Sequence, residues 1–280
     1  MIEELLPASV VAVEAFGEEG VREFGDTPLY PQEEALLTRA VDKRRREFTV
    51  VRGCARRAME KLGVPARPVL PGERGAPGWP DGVTGSMTHC ADYSAAALVR
   101  AADLASLGVD AEPHGPLPEG VLCAIALPEE AARLERRAAD RPEVHWDRLL
   151  FSAKESVYKA WFPLTRMWLD FSEADIDLWT DDNRTADVKI PTRVKNPADA
   201  KSPADDGRPA DLGRAVDDGR TAGVDPPAVT AGPGTRAQGG FRARLLVPGP
   251  VVGGRRVEHF HGRWTVQRGL LATAVTVPHA

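Results

Sequence analysis

The sequence predicts an α+β protein built on antiparallel sheets, and three observations lead there. Two long segments, residues 33–62 and 145–161, repeat apolar side chains every three or four positions, the period of a helix with one buried face. Short strand-like runs come in neighbouring pairs, 83–88 with 93–100 and 262–267 with 270–277, which makes hairpins rather than a regular alternation of strand and helix. The chain has 280 residues, 42% of them hydrophobic, enough for one large domain or two small ones with real cores.

Taken in order, residues 33–62 read as one helix whose stripe is Val41, Phe48, Val51, Ala55, Ala58 and Leu62, with Gly63 and Pro65 ending it. A loop rich in proline and glycine runs from Pro68 to Gly82, and strands follow at 83–88, 93–100 and 107–110. A short helix is expected at 128–139 and a long one from 145. Further strands are expected at 174–179, 241–247, 262–267 and 270–277. Residues 181–238 differ: they hold no Phe, Trp or Tyr and carry a weak 12-residue repeat with almost no apolar positions to stack. They read as a disordered, low-complexity loop expanded between two strands of one domain, a tolerable arrangement because closure cost grows slowly with length.

Composition narrows the function. The net charge is −5, which gives no global attraction to nucleic acid. Residues 39–67 nevertheless hold ten basic residues against three acids, a local surplus that attracts an anionic ligand or an acidic partner. That run lacks the interleaved aromatics of a single-strand binder. No stretch approaches the 18 or more apolar residues of a membrane span. The acidic start, Met1-Ile2-Glu3-Glu4, lacks the basic region of a secretory signal. Cys54, Cys90 and Cys123 are odd in number and far apart, which fits reduced thiols and a cytoplasmic location.

Two segments carry the chemistry. Gly108-Val109-Asp110-Ala111-Glu112 reads as a strand running into a loop, and strand alternation turns Asp110 and Glu112 to one side. Phe151-Ser152-Ala153-Lys154-Glu155-Ser156-Val157-Tyr158-Lys159 lies in the second long helix. There Trp146, Leu149, Leu150, Ala153, Val157, Ala160 and Trp161 face the core, and Glu155 and Lys159 stand one turn apart on a neighbouring face. Taken singly, the first is an ordinary solvated pair and the second an ordinary surface ion pair. Together they supply three carboxylates and two ammonium groups, a set that suits one magnesium bound along with a phosphate-bearing ligand.

Four stretches in order resemble the Sfp-type 4′-phosphopantetheinyl transferases, in particular their compact single-chain branch. They are Lys43-Arg44-Arg45-Arg46-Glu47-Phe48 with Arg52, Gly85-Ser86-Met87-Thr88-His89-Cys90, the 108–112 segment, and Phe151 to Lys159 continuing through Ala160-Trp161. The resemblance covers residues 5–180 and 241–277. It implies two similar halves, 1–113 and 114–280, each with antiparallel sheets and packed helices, related by a pseudo-twofold with coenzyme A in the cleft between them. It also implies transfer of phosphopantetheine from coenzyme A to a serine of an acidic acyl, peptidyl or aryl carrier protein. Such carriers serve fatty-acid, polyketide or nonribosomal-peptide synthesis, and the other product is adenosine 3′,5′-bisphosphate. The nucleophile is then the partner's, and this chain needs none.

On that resemblance Asp110, Glu112 and Glu155 hold Mg2+, and Glu155 is also the candidate base toward the serine. Lys154 and Lys159 contact the pyrophosphate. Arg52 and one of Arg44, Arg45 and Arg46 serve the 3′-phosphate and adenine end. Arg45, seven residues before Arg52 and so on the same face, is favoured. Thr88 and His89 reach a phosphate, Arg74 the adenine side, and Tyr158 and Trp168 the pantetheine channel. Pro71 stands where close relatives can carry a lysine. Both walls of the cleft lie on one chain, so a monomer is expected. A coenzyme A- or carrier-binding module without transfer activity is the rival reading, and it has no need of the three carboxylates with Lys159.

Overall fold

The computed structural model describes residues 1–183 and 235–279, so most of the expected 181–238 loop lies outside the described residues. The elements are β1 (Val11–Phe16), α1 (Gly17–Phe24), α2 (Pro31–Ala35), α3 (Asp42–Lys61), β2 (Val83–Cys90), β3 (Tyr93–Arg100) and β4 (Ser106–Pro113). They continue with α4 (Val121–Ile125), α5 (Pro128–Asp140), α6 (Trp146–Thr165), β5 (Ala174–Thr180), β6 (Ala237–Leu245), β7 (Val251–Val252), β8 (Arg255–Arg256), β9 (His259–Gln267) and β10 (Leu270–Val277). The fold is α+β with antiparallel sheets. Strands β1-β3-β2 form one sheet, β4-β10-β9-β6-β5 a second, and β7 and β8 a small ribbon.

Each large sheet has its own 20-residue helix. On the N-terminal sheet, α3 packs Val50, Cys54, Ala55, Ala58 and Met59 against Val13, Ala15, Ala96 and Leu98. On the C-terminal sheet, α6 packs Leu149, Leu150, Ala153, Val157 and Trp161 among Phe241, Ala243, Trp264, Leu271 and Val275. The two sheets then meet each other: Tyr93, Ala95, Ala97 and Val99 of β3 share a core with Leu107, Val109 and Ala111 of β4 and Ala272 and Ala274 of β10. Strand β3 is thus covered on both faces, which accounts for the unbroken apolar run over residues 95–99.

One expectation needs correction. The helix expected over 33–62 is broken: α2 ends at Ala35 and α3 begins at Asp42. Val41, expected in the apolar stripe, is the extended residue just before α3 and is 71% exposed, while Leu37 in the break enters the core. Asp42 occupies the first turn of α3, where a carboxylate meets the positive end of the helix. The expected division at residue 113 falls at the end of β4. Strand β4 pairs with β10 from Ser106↔Val277 to Pro113↔Leu270 and so belongs to the second sheet; drawn by sheet, the halves part between β3 and β4. Strand β6 begins at Ala237, inside the stretch expected to be loop. Strand β1, α1, α4 and the β7–β8 ribbon carry no sequence-based expectation. Among the described residues, no helix is long and apolar enough to cross a membrane.

Candidate active site

The seam between the sheets builds the site. Strands β2 and β4 lie side by side in different sheets, and hydroxyls join them where a backbone ladder is missing. Ser86 Oγ accepts from the Val109 N–H at 3.1 Å, and Thr88 Oγ1 accepts from the Ala111 N–H at 3.0 Å. Thr88 Oγ1 also reaches Asp110 Oδ1 at 3.5 Å. From the other side α6 presses onto β4. A Cβ on Gly108 would stand 2.0 Å from the Ser156 carbonyl oxygen and 2.7 Å from the Ala160 nitrogen, so only glycine permits this approach. Ser106 Oγ fixes the register by donating to the Ala160 carbonyl at 2.7 Å.

That close approach brings Lys159 and Glu155 of α6 to Asp110. Lys159 Nζ donates to Asp110 Oδ1 at 2.8 Å and to the Val109 carbonyl at 3.2 Å. Asp110 Oδ2 is buried and has no hydrogen-bond partner. Burial first, and the charge of Asp110 second, push the Glu155 carboxyl up to about 7. Burial and then Asp110 push Glu112 upward as well, against the opposing pull of Arg148. For Lys159, burial is outweighed by Asp110 and Glu155, which hold its ammonium above the ordinary range.

All of these side chains except Arg148 line one cavity of about 830 Å³. Arg44, Phe48 and Arg52 of α3, together with His89 at the end of β2, form part of its wall. Tyr158, Phe162, Trp168 and Ile125 supply apolar and aromatic surface. Arg74 stands on a backbone with φ +52° and stacks over Trp168 at 5.5 Å, with Tyr158 against the same indole at 5.0 Å. The Tyr158 hydroxyl is buried in this wall without a partner.

The sequence-based assignments fare unequally. Asp110, Glu112, Glu155, Lys159, Thr88, His89, Arg52 and Arg74 are brought together around the cavity. Arg45 is not: its guanidinium donates to Glu34 at 2.7 Å and lies toward the Leu37 carbonyl. Arg44 takes the inward place, donating to His89 Nε2 at 3.0 Å. A guanidinium only donates, so Nε2 is the accepting nitrogen of that ring. The broken helix explains the exchange. In a continuous helix Glu34 and Arg45, eleven residues apart, would be separated by about 16 Å; the fold-back of α2 brings them together.

Lys154 is also corrected. Its stem borders the cavity, but its ammonium is spent elsewhere, on Glu130 Oε2 at 2.8 Å and the carbonyls of Phe171 and Ala174 at 2.6 and 3.0 Å. Three donors meet three acceptors, which leaves none for a phosphate. Burial pulls its pKa down, with Glu130 pulling the other way. Arg52 is 3% exposed; its Nε donates to the Val69 carbonyl at 3.0 Å, and its guanidinium stacks on Phe48 at 3.9 Å. Sequence reasoning missed Arg148, whose Nη1 lies 3.1 Å from Glu112 Oε2. The signal was present, since positions 148, 152, 155 and 159 share one helical face.

Among the described residues, no group of three or more His, Cys, Asp or Glu side chains could hold a metal ion unaided. The expected set of Asp110, Glu112 and Glu155 therefore does not form such a group. What exists is a partial oxygen-donor set: the crowded carboxylates of Asp110 and Glu155 with Asp110 Oδ2 orphaned, Glu112 beside them on Arg148, and the Lys159 ammonium nearby. Hard oxygen donors in this number fit magnesium, which takes one or two carboxylates and completes its shell with water and ligand phosphates.

Fold and site together define an α+β protein whose inter-sheet cleft joins a basic helix to a carboxylate–lysine helix. The family model of the 4′-phosphopantetheinyl transferase N-terminal domain matches residues 32–99, and that of the 4′-phosphopantetheinyl transferase superfamily matches residues 106–202. The 4′-phosphopantetheinyl transferase Svp of Streptomyces mobaraensis is 47% identical over 280 residues, covering 99% of this chain and 89% of that protein. The 4′-phosphopantetheinyl transferase PptT of Mycobacterium tuberculosis is 39% identical over 277 residues, covering 99% of this chain and 98% of that protein. The 4′-phosphopantetheinyl transferase Npt of Nocardia iowensis is 38% identical over 277 residues, covering 98% and 99%. The chain belongs to the 4′-phosphopantetheinyl transferase superfamily.

Proposed function

We propose that the protein moves phosphopantetheine from coenzyme A to a serine of acidic carrier-protein domains, with magnesium as cofactor and adenosine 3′,5′-bisphosphate as the other product. One observation carries the local part of this reading: Lys159, Asp110 and Glu155 crowd together on the wall of a large cavity, and Asp110 Oδ2 there lacks any partner. Family membership supplies the rest.

The chemistry is displacement at the phosphorus that carries pantetheine, with the carrier's serine oxygen entering and the bisphosphate leaving. Catalysis is then chiefly positioning and charge neutralisation. Asp110 and Glu155 would hold the ion, with Glu112 joining them directly or through water, and the ion would supply neutralisation of charge on the pyrophosphate. Lys159 adds a fixed positive charge on the same oxygens. Glu155 is also the base that takes the serine proton. Arg44, Arg52 and His89 hold the 3′-phosphate and nucleotide end. Arg74, Trp168 and Tyr158 close around the pantetheine arm. Both walls come from one chain, which supports a monomer.

A binding module without transfer would not need two crowded carboxylates beside a lysine. Incubation with coenzyme A, magnesium and apo acyl-, peptidyl- and aryl-carrier proteins, followed by intact-mass spectrometry, tests the proposal. Gain of one phosphopantetheine on a carrier supports it; no gain on any of the three contradicts it.

A further inference from the structure

Glu112 borders the cavity, whereas Arg148 stands behind it, outside the cavity lining. Arg148 spends its guanidinium in three directions: Nη1 on Glu112 Oε2 at 3.1 Å, Nε on the Gly115 carbonyl at 3.3 Å, and Nη2 on the Pro116 carbonyl at 2.7 Å. Its side chain is 12% exposed, and Glu112's is 20% exposed. Neighbouring contacts brace the same turn: Asp147, the preceding residue on α6, accepts from the Leu117 N–H at 2.8 Å. The chain leaving β4 is therefore strapped to the first turns of α6 just beyond Asp110 and Glu112.

We propose that Arg148 is a positioning residue for the metal-holding carboxylates. It grips one oxygen of Glu112 from behind and the following turn through two carbonyls, and so sets where the other Glu112 oxygen stands relative to Asp110. The proposal rests on the function proposed above. A planar fork with several donors can serve three acceptors at fixed angles; a lysine ammonium offers charge at one point and cannot reproduce the arrangement. Partners that orient a ligating side chain are commonly worth about 10–100-fold in metal affinity or activity.

The test uses Mn2+ as probe, titrated by electron paramagnetic resonance into the full-length protein with coenzyme A present, alongside steady-state transfer. Arg148→Met should weaken Mn2+ binding by about tenfold or more and lower kcat while leaving KM for coenzyme A within about threefold. Arg148→Lys should recover only a small part. In a Glu112→Gln background, Arg148→Met should cost nothing further, because the residue acts through Glu112. Unchanged Mn2+ affinity in Arg148→Met, or an undiminished loss in the Glu112→Gln background, overturns the proposal. Should Arg148→Met fail to fold, Arg148→Lys and its double variant carry the same comparison. Wild-type protein that neither binds Mn2+ with coenzyme A nor transfers would overturn the function reading instead.

Discussion

Lys159 places its ammonium 2.8 Å from Asp110 Oδ1, while Oδ2 of the same carboxylate is buried and unpartnered. One positive charge thus faces two buried carboxylates, those of Asp110 and Glu155. The metal-free protein holds a surplus of negative charge that a divalent cation would offset.

The surplus makes a pH prediction. The Glu155 carboxyl is raised from 4.5 to about 7 in the folded state, so its stabilising contribution is complete below about 4.5 and lost as pH rises through about 7. Glu155→Gln mimics the protonated form. In chelator, the variant should match wild type near pH 5 and exceed it at pH 8, by on the order of 3 kcal/mol at most. Denaturant titrations at the two pH values read this out, and a variant less stable than wild type at pH 8 contradicts it.

Arg44 and Arg45 are neighbours with opposite expectations. Arg44 borders the cavity on His89, and Arg45 is committed to Glu34. Arg44→Ala should raise KM for coenzyme A about tenfold, the scale of one charge-assisted hydrogen bond. Arg45→Ala should leave it within about twofold. Steady-state kinetics at saturating carrier decide, and the reverse ranking would restore the helix-spacing assignment.

Lys154 should behave as a structural residue. Its ammonium and the Glu130 carboxylate form a buried pair, with Glu130 also accepting from the N–H groups of Leu127 and Ile176. Lys154→Met leaves a buried charge alone and should destabilise by roughly 3–5 kcal/mol. Adding Glu130→Gln should recover part of that loss. The folded fraction should keep its KM for coenzyme A. A stable Lys154→Met protein with greatly weakened coenzyme A binding would return Lys154 to the phosphate site.

Gly108 is the hinge of the geometry between β4 and α6. Alanine there would drive a methyl into the Ser156 carbonyl and the Ala160 amide, which are backbone atoms that cannot rotate away. Gly108→Ala should destabilise by roughly 3 kcal/mol or more, at the upper end of overpacking costs. Equilibrium urea unfolding measures it; a loss below about 1 kcal/mol would mean that the seam yields easily.

What the sequence makes legible depends on how local the cause is. Helix α6 is readable because its 3–4 periodicity runs unbroken from Trp146 to Trp161, and the same spacing lifts Glu155 and Lys159 onto one face. Strands β3 and β10 are readable as mostly apolar runs, interrupted only by Ser94 before Arg100 in β3 and by Thr273 and Thr276 in β10. Strand β1 escapes because Glu14 interrupts its pattern; that carboxylate is satisfied at long range by the Tyr93 hydroxyl at 2.6 Å and the Ile2 N–H at 2.8 Å. Arg45 and Lys154 mislead for the same reason. Their partners, Glu34 across a break in the helix and Glu130 on another helix, are set by tertiary packing that periodicity does not encode. The position of Ser86 and Thr88 at the seam of two sheets is likewise invisible until both sheets are placed.

The most direct measurement compares wild type with Glu155→Gln in one transfer assay. Each is incubated with coenzyme A and an apo carrier protein, with magnesium or with chelator, and intact-mass spectrometry follows the carrier. Wild type with magnesium should add one phosphopantetheine, and chelator or Glu155→Gln should reduce the rate by a factor of about 100 or more, the scale of a lost general base. Transfer by wild type in chelator, or near-normal transfer by Glu155→Gln, would contradict the metal-and-carboxylate site at its centre.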